Sequence, residues 1–416
     1  TGVFALYNVP NGLVDVVISD SGSASTKTFT VANYGGACVM DTVGDITFNE
    51  DLPVTIHGTV KLASGAPVAG ATVRAINNVY ASPLTATTAA DGSYAFTNVP
   101  PTLSETLMIA KLDGVGKDTQ HVVGGNAGAQ TVNFVIPPSV PFEIGKTSSA
   151  PTIDGVVNAA EWAASQPIAL KYDAAADNPL TIATLPATAY AMWDNNNLYL
   201  AMVTDEPNPA GIVTTSTGHD DGIWAGDDTF TAWLDPMMAD IPASGSEHWQ
   251  AIFNTTNAES DIAWYGNEYW NIAADLQNIV NVAKVDTVNK KWSIEVKIPF
   301  SGMAIDGGLA APTVIAGTKW YISLTRERSQ TVGGNAAATT YFSVGTFVNT
   351  LSALSKGDLN ADRMVDYSDA AIAIRIAGGL EALGARKAQG DVNNSGSVDV
   401  SDAVLILRKA SGLGGF

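Results

Sequence analysis

The sequence predicts a mainly β, multidomain protein with a small α-helical module at its C-terminal end. Three observations predict this fold class. First, 416 residues are too many for a single hydrophobic core. Second, short alternating apolar segments separated by Gly, Pro, Asn and Asp recur up to about residue 350, as expected for strands joined by turns. Third, two acidic loops follow from about residue 356, each leading into apolar residues at helical spacing.

Composition limits the possible partners and the compartment. The chain has 41 Asp and Glu against 21 Lys and Arg, and a formal net charge of −20. Nucleic acids and anionic membranes require clustered cations, so we expect neither as a partner. Cys38 is the only cysteine, which excludes a disulfide within the chain. No apolar run predicts membrane insertion and residues 1–4 are not a signal peptide, so we expect a mature or truncated secreted protein, extracellular or bound to the cell surface.

Residues 52–138 predict a small all-β domain. Val54–Lys61 and Ala71–Ile76 alternate, and Ala90-Asp91-Gly92 is a hairpin signal. The segments Pro67–Val73, Asp91–Tyr94 and Asn98–Pro100 resemble the carboxypeptidase regulatory-like, or transthyretin-like, β-sandwich of the wider immunoglobulin-like type. The resemblance implies a structural or spacer domain and says little about function.

Residues 1–50 repeat the second half of that domain. Gly2–Pro10 matches Gly92–Pro100, and further strands are expected near residues 14–18, 27–31 and 45–48. The strands that should precede Gly2 are missing, and an incomplete sandwich exposes an unpaired edge. The chain is therefore a fragment, or is cleaved at this point, or is completed by a strand from another subunit. Our hypothesis is the third.

Residues 145–350 predict a larger β-sandwich of roughly ten strands. Its segments are Ile153-Asp154-Gly155 with Glu161-Trp162, then Ala189–Asp205, Trp224–Asp235 and Lys291–Pro299. In this order they resemble the family 9 carbohydrate-binding module. Alternation places Trp193, Trp233, Trp249 and Trp292 in the core. Trp264, Tyr265, Tyr269 and Trp270 are predicted to lie in a loop, as a binding platform or, as we favour, a contact with a neighbouring module.

The sugar site implied by this resemblance is incomplete. The family clamps a sugar between two tryptophans, and the candidates here are Trp224 and, as the only stand-in for the second, Tyr341. Thr231 and Gln250 stand where the family has a glutamate and an arginine. Aromatic stacking and charged hydrogen bonds both strengthen sugar binding, so we expect it to be severely weakened. The resemblance also implies calcium, with His219-Asp220-Asp221 and Asp205-Glu206 as candidate ligands.

The C-terminal loops have the ligand spacing of an EF-hand calcium loop. They begin at Asp358 and Asp391, and each places oxygen side chains at positions 1, 3, 5, 9 and 12, with a backbone carbonyl at position 7. An all-oxygen set suits the hard Ca²⁺ ion. The predicted ligands are Asp358, Asn360, Asp362, Met364, Asp366 and Asp369 in the first loop and Asp391, Asn393, Ser395, Ser397, Asp399 and Asp402 in the second. Position 12 is Asp instead of Glu, and position 6 is Arg363 in the first loop but Gly396 in the second.

One amphipathic helix is predicted after each loop, with Ala370, Ala373, Ile374 and Ala377 or Ala403, Ile406, Leu407 and Ala410 on the apolar face. This duplicated unit resembles a type I dockerin over residues 356–416. The resemblance implies folding on two calcium ions and binding to a cohesin. It implies partner contacts at Tyr367, Ser368, Arg375, Val400, Ser401 and Arg408.

None of the four histidines lies in a hydrolase, zincin or haem motif, and the recognised modules are non-catalytic, so we do not expect an enzyme. The first hypothesis is a structural subunit of a calcium-dependent extracellular assembly, a filament or surface scaffold, joined by strand complementation and dockerin contacts. The second is a carbohydrate-binding component docked onto a cohesin scaffold. The third is an ancillary part of a larger polysaccharide-degrading enzyme.

Overall fold

The computed structural model describes most of the chain, in two compact units whose boundary falls after Ile136. The described residues are 12–19, 26–33, 54–76, 84–99, 106–112, 116–122, 129–139, 141–174, 176, 178–223, 226–238, 246–265, 270–271, 275–304, 310–328, 337–362 and 364–416. The predicted strand near residues 45–48 and the repeat at residues 2–10 lie outside them.

The first unit contains a hairpin and a small sandwich. The hairpin pairs β1 (Gly12–Ser19) with β2 (Thr26–Asn33), where the sequence predicts two strands. The sandwich strands are β3 (Val54–Leu62), β4 (Thr72–Ile76), β5 (Leu84–Thr87), β6 (Ser93–Val99), β7 (Thr106–Leu112), β8 (Gly116–Val122), β9 (Ala129–Thr131) and β10 (Phe134–Ile136). They form two four-stranded sheets, β10-β3-β6 with β9 beside β3, and β5-β4-β7-β8.

Alternation along these strands buries one side of each sheet. Ile56, Val60 and Phe134 are buried, and the Tyr94 hydroxyl donates to the Val132 carbonyl at 2.7 Å. Gly92 has a φ of 78°, and a Cβ there would lie 2.5 Å from the Val60 carbonyl oxygen. Glycine is therefore required at the predicted hairpin turn.

The second unit begins with a 13-stranded sheet folded into a sandwich. Its strands are β11 (Phe142–Lys146), β12 (Ile168–Asp173), β13 (Ile182–Trp193), β14 (Asn197–Asp205), β15 (Thr229–Asp235), β16 (Ser246–Asn254), β17 (Glu259–Tyr265), β18 (Trp270–Asn271), β19 (Val280–Asp286), β20 (Lys291–Pro299), β21 (Lys319–Glu327), β22 (Ala337–Thr339) and β23 (Ser343–Val348). The strand order is β18-β17-β16-β15-β21-β22-β12-β13-β14-β20-β19, and β11 runs parallel to β13 and β23. The described strands outnumber the roughly ten expected from turn signals, because short strands such as β18 and β22 lack a clear alternating pattern.

Buried Glu295 links two of the sequence segments that define this sandwich. It lies on β20, and its carboxylate accepts hydrogen bonds from the backbone of Asp154 and Gly155 and from Trp162 Nε1. Burying a charge requires hydrogen-bond partners, and these three donors supply them. The segment before β12 is thereby fixed against the sheet.

Tryptophan positions divide between the core and the opposite face of the sheet. Trp193, Trp249 and Trp292 are fully buried in the core, as predicted. The prediction for Trp233 was wrong, because Phe230, Ala232 and Leu234 point into the core and Trp233 lies half-buried on the other side of β15. Trp264 and Tyr265 end β17, and Trp270 starts β18, so the predicted loop is partly a strand pair.

The C-terminal module (residues 356–416) is helical. Its helices are α1 (Tyr367–Ala377), α2 (Lys387–Gly390) and α3 (Val400–Ala410). Ala370, Ala373, Ala403 and Ile406 are buried in one shared core. Ile374 and Leu407 are exposed, so their assignment to the apolar face was wrong. The core combines small residues of both helices with Ile406 and with Leu359, Val392 and Val398 of the loops.

Candidate calcium and carbohydrate sites

The two acidic loops have the same local construction. Asp369 is fully buried, and its carboxylate accepts hydrogen bonds from the backbone N–H groups of Leu359, Asn360 and Asp366. Asp402 does the same for Val392, Asn393 and Asp399. One position-12 carboxylate therefore closes each loop onto its own beginning.

The same residues start the helices. Asp366 caps α1 and Asp399 caps α3, each forming a reciprocal capping box with the aspartate three residues later. A capping box satisfies backbone donors that the first helical turn leaves without partners. The same aspartates are therefore both predicted calcium ligands and the residues that start the helices.

The oxygen-rich loops fit a calcium ion. In the first loop Asp358, Asp362 and Asp369 are buried close together, and burial raises the pKa of Asp362 and raises that of Asp369 to about 6. Buried carboxylates gathered at this density are stabilised by a bound cation, and the donors present are the hard oxygens that Ca²⁺ prefers. When bound, an ion in each loop would be held by that loop's own predicted ligands and would offset the mutual repulsion of their charges.

Backbone conformation at the turn of each loop is also shared. Ala361 and Asn394, both at loop position 4, have positive φ angles of 63° and 58°. Gly396 at position 6 of the second loop has a φ of 95°. Its counterpart Arg363 lies outside the described residues.

The predicted partner residues lie on the surface of the module. Tyr367 and Val400, both at loop position 10, are 60% and 63% exposed, and Ser368 and Ser401 are exposed beside them. Further exposed apolar side chains are Ile374, Leu380, Val404 and Leu407. Arg375 and Arg408 are both exposed, and Arg375 also pairs with Glu381 at 2.7 Å. We call this the helix surface.

The first loop also contacts the large sandwich. Lys171 Nζ on β12 lies 2.9 Å from Asp366 Oδ2, and Gln166 Nε2 donates to the Asp362 carbonyl at 3.4 Å. Both contacts join residues nearly 200 positions apart, at separations of 195 and 196. Sequence reasoning missed them, because the loop pattern contains no signal for a distant lysine.

The face of the sandwich opposite its core carries the candidate carbohydrate residues. Gln250 on β16 pairs with Trp233 on β15, which in turn pairs with Ser323 on β21. Next to them, Thr231 is buried and pairs with Thr325, whose hydroxyl lies 2.9 Å from that of Thr339. The face therefore offers hydroxyl and amide groups where the family resemblance implies charged ones.

Two of the three predicted sugar contacts, Gln250 and Tyr341, lie within the described residues and have different neighbours. Gln250 lies beside Trp233, whereas Tyr341 packs near Tyr172 and donates from its hydroxyl to the Asp173 carbonyl at 3.3 Å. Trp224 lies outside the described residues. Asp227, three residues further along the chain, accepts hydrogen bonds from Thr215, Ser216 and Asn254.

An aromatic group on this face was missed by the sequence analysis. Trp233 lies 5.6 Å from His248 and 6.3 Å from Phe342, measured between ring centroids, and His248 lies 6.1 Å from Phe342. We call these three residues the aromatic group. The alternation of β15 was a usable signal, but it does not say which of two covered faces is the core.

Three of the acidic candidates in the sandwich have other partners. Asp205 pairs with Lys291 at 2.8 Å, and buried Glu206 pairs with Arg326 and Arg328 at 2.7 and 3.1 Å. Asp221 accepts from the backbone of Thr217 and Gly218 and so shapes a turn. His219 and Asp220 lie in a different cluster, described below.

Comparisons with known families match three segments of the chain. Residues 55–137 match the carboxypeptidase regulatory-like domain, residues 153–333 the carbohydrate family 9 binding domain-like family, and residues 356–410 the dockerin type I domain. None of the curated proteins compared with the chain matches it. The three resemblances found in the sequence are thus confirmed, as is the mainly β, multidomain fold class.

Solved structures are similar to the sandwich at low identity. A family 9 carbohydrate-binding module from Caldicellulosiruptor kristjanssonii in complex with glucose is 14% identical, with 51% of this chain and 98% of that chain covered and a TM-score of 0.36. A putative carbohydrate-binding protein from Bacteroides uniformis is 10% identical, with 50% and 98% covered and a TM-score of 0.37.

Together, a dockerin type I segment and a family 9-like segment indicate an extracellular component of a multimodular assembly. Type I dockerins are calcium-binding modules. The three matched families are a regulatory-like, a carbohydrate-binding and a docking type, and none of these three is a catalytic domain. Within the described residues, no helix has both the length and the apolar character to cross a membrane.

Proposed function

We propose that this chain docks onto a cohesin-type partner through its calcium-loaded C-terminal module and presents its large sandwich to a polysaccharide. The observation that carries the proposal is the matched pair of loops, each closed by a buried aspartate and each placing an exposed apolar residue at position 10. Exposed apolar side chains grouped on a small module are typical of a protein interface. Two ions, one in each loop, are part of the proposal.

The docking step is tested with immobilised type I cohesins. Full-length chain is expected to bind with calcium and to be released by EDTA, because the helices begin at calcium-ligand aspartates. The double variant Tyr367→Ala with Val400→Ala should lose binding, since it removes the apolar residue from both copies. Lys409→Ala, which removes only a contact over the Phe416 ring, is the matched control. Binding that survives both EDTA and the double variant would contradict the proposal.

The carbohydrate step rests on the aromatic group and on Gln250. An aromatic ring provides a flat apolar surface for sugar C–H groups, and an amide can hydrogen-bond hydroxyls. Affinity electrophoresis in gels containing soluble cellulose derivatives or xylan measures this directly. Retardation of the wild type that Trp233→Ala abolishes and Asp286→Ala retains would support it. Equal migration with and without polysaccharide would leave docking as the function.

The filament hypothesis has a separate basis, the repeat of residues 92–100 at residues 2–10. It stays a prediction, because residues 2–10 lie outside the described part of the chain. Electron microscopy of purified protein tests it: regular polymers with calcium that dissolve in EDTA support strand complementation and self-assembly. Monodisperse particles under both conditions contradict it.

A further inference from the structure

His219, Asp261 and Asp275 form a cluster on the large sandwich that lies apart from the two C-terminal loops. Each offers one ligand atom, and the three atoms all lie within 4.8 Å of one another. His219 Nε2 is 3.1 Å from Asp275 Oδ1 and 3.8 Å from Asp261 Oδ2. We call these residues the His219 cluster.

Asp261 supplies the observation that points to a ligand. Its carboxylate is fully buried, and among the described residues no hydrogen-bond donor reaches its Oδ2 atom. That atom faces His219, while Oδ1 is occupied by the backbone N–H of Leu276 at 2.9 Å. A buried carboxylate oxygen left without a donor is costly, and a bound cation removes that cost.

A neighbouring carboxyl group also favours a bound cation at this position. Glu259 lies two residues before Asp261 on β17, and its Oε1 atom also lacks a donor among the described residues. The Glu259 and Asp261 side chains contact each other, and two carboxyl groups that meet in a buried position repel each other when both are ionised, which a bound cation relieves.

The residues around the cluster hold its ligand atoms in place. His219 Nδ1 lies 3.2 Å from Asp220 Oδ2, on the ring edge opposite Nε2. Gln277 Nε2 donates to Asp275 Oδ2 at 2.7 Å, leaving Oδ1 toward the histidine. A carboxylate behind a histidine fixes the tautomer and orientation of the ring in metal sites. Asp220 itself is held by Ser260 Oγ, at 3.2 Å from its Oδ1.

We propose that the His219 cluster binds one divalent cation of the zinc type through His219 Nε2, Asp261 Oδ2 and Asp275 Oδ1. Tetrahedral zinc with bonds near 2.1 Å separates its ligands by roughly 3.4 Å, and the distances of 3.1 and 3.8 Å lie on either side of this value. His219 and Asp275 are about half exposed, at 47% and 45%, so the fourth position opens to water. The nitrogen donor and the small ligand number disfavour calcium, which takes six to eight oxygens.

The test uses the full chain in saturating calcium, so that the C-terminal loops are filled. Zinc is titrated against a chelating dye, and Co²⁺ absorption serves as a second reading of the coordination. One zinc per chain is expected, with an increase in the melting temperature of the sandwich. His219→Ala and the nearly isosteric Asp261→Asn should weaken binding at least 100-fold. Asp220→Asn should weaken it about tenfold, as is usual for a residue behind a ligand.

The matched control is His57→Ala, a histidine of the first unit whose ring contacts the Thr131 hydroxyl. It should bind zinc like the wild type. Because His219 is at the surface, His219→Ala should fold normally, which circular dichroism checks. No zinc uptake, or unchanged uptake in His219→Ala, would overturn the proposal in favour of a protonated histidine paired with carboxylates. A third calcium that Asp261→Asn loses and His219→Ala retains would overturn it in favour of calcium.

Discussion

The two proposed calcium loops share a sequence pattern but lie in different surroundings. Both are closed by a buried position-12 aspartate that holds three backbone N–H groups. In the first, Asp358 and Asp362 at positions 1 and 5 are buried, whereas in the second Asp391 is half-buried and Ser395 is exposed. Asp366 of the first loop also contacts Lys171 of the sandwich. In the second, Lys356 instead donates to the Asp391 carbonyl and to Asn394. The first loop thus joins two domains, and the second is braced from within its own module.

Replacing the aspartates that close the loops should give the largest effect on stability. Asp369→Ala and Asp402→Ala each remove a buried charged acceptor of three hydrogen bonds, at a cost of about 3–5 kcal/mol in the calcium-loaded protein. Calorimetry should show the C-terminal module melting earlier in both. Asp369→Ala should also lower the melting temperature of the sandwich, because the Lys171 contact is lost with the loop. Identical effects of the two variants on the sandwich would contradict this.

The two loops should lose calcium at different calcium concentrations. The first offers four carboxylates and the second three, and affinity for Ca²⁺ increases with ligand charge. We therefore expect the second loop and α3 to lose amide-exchange protection first as EDTA is added. The free calcium concentration at which they do so should be about tenfold higher than for the first loop. Mass-spectrometric hydrogen exchange at stepwise calcium levels measures this. A simultaneous loss would mean that the two sites are strongly coupled.

The sequence predicts interactions between residues close together in the chain better than interactions between distant residues. Asp358 to Asp369 is a local unit in which one residue closes its own loop, so the spacing alone identified it. The Lys171–Asp366 contact joins positions 195 apart, and no local spacing indicates it. Trp233 fails for another reason. Both faces of β15 are covered, so Thr229 and Thr231 are as buried as Phe230, and alternation separates two faces without telling which is the core.

Lys171→Met should change the calcium affinity of the first loop only. The Lys171 ammonium pairs with Asp366, a predicted calcium ligand, and therefore repels a cation bound there. Replacing the lysine should tighten calcium binding to the first loop about fivefold. The second loop should not change. Calcium titration of both sites by calorimetry gives the two constants, and Lys291→Met, which removes an exposed pair with Asp205, is the matched control. Weaker calcium binding in Lys171→Met would show that the lysine orders the loop more than it repels the ion.

Lys356→Ala should give the smallest effect, confined to the second loop. The Lys356 ammonium bridges the Asp391 carbonyl and the Asn394 side chain, and all its contacts are at the surface. Exposed hydrogen bonds of this type contribute about 0.5 kcal/mol, so amide exchange in the second loop should be about twofold faster without calcium. Exchange in the first loop should not change, because Lys171 and Gln166 support it from the sandwich. If both loops exchanged faster, the brace would act through the core that α1 and α3 share, and the loops would have to be treated as one cooperative unit.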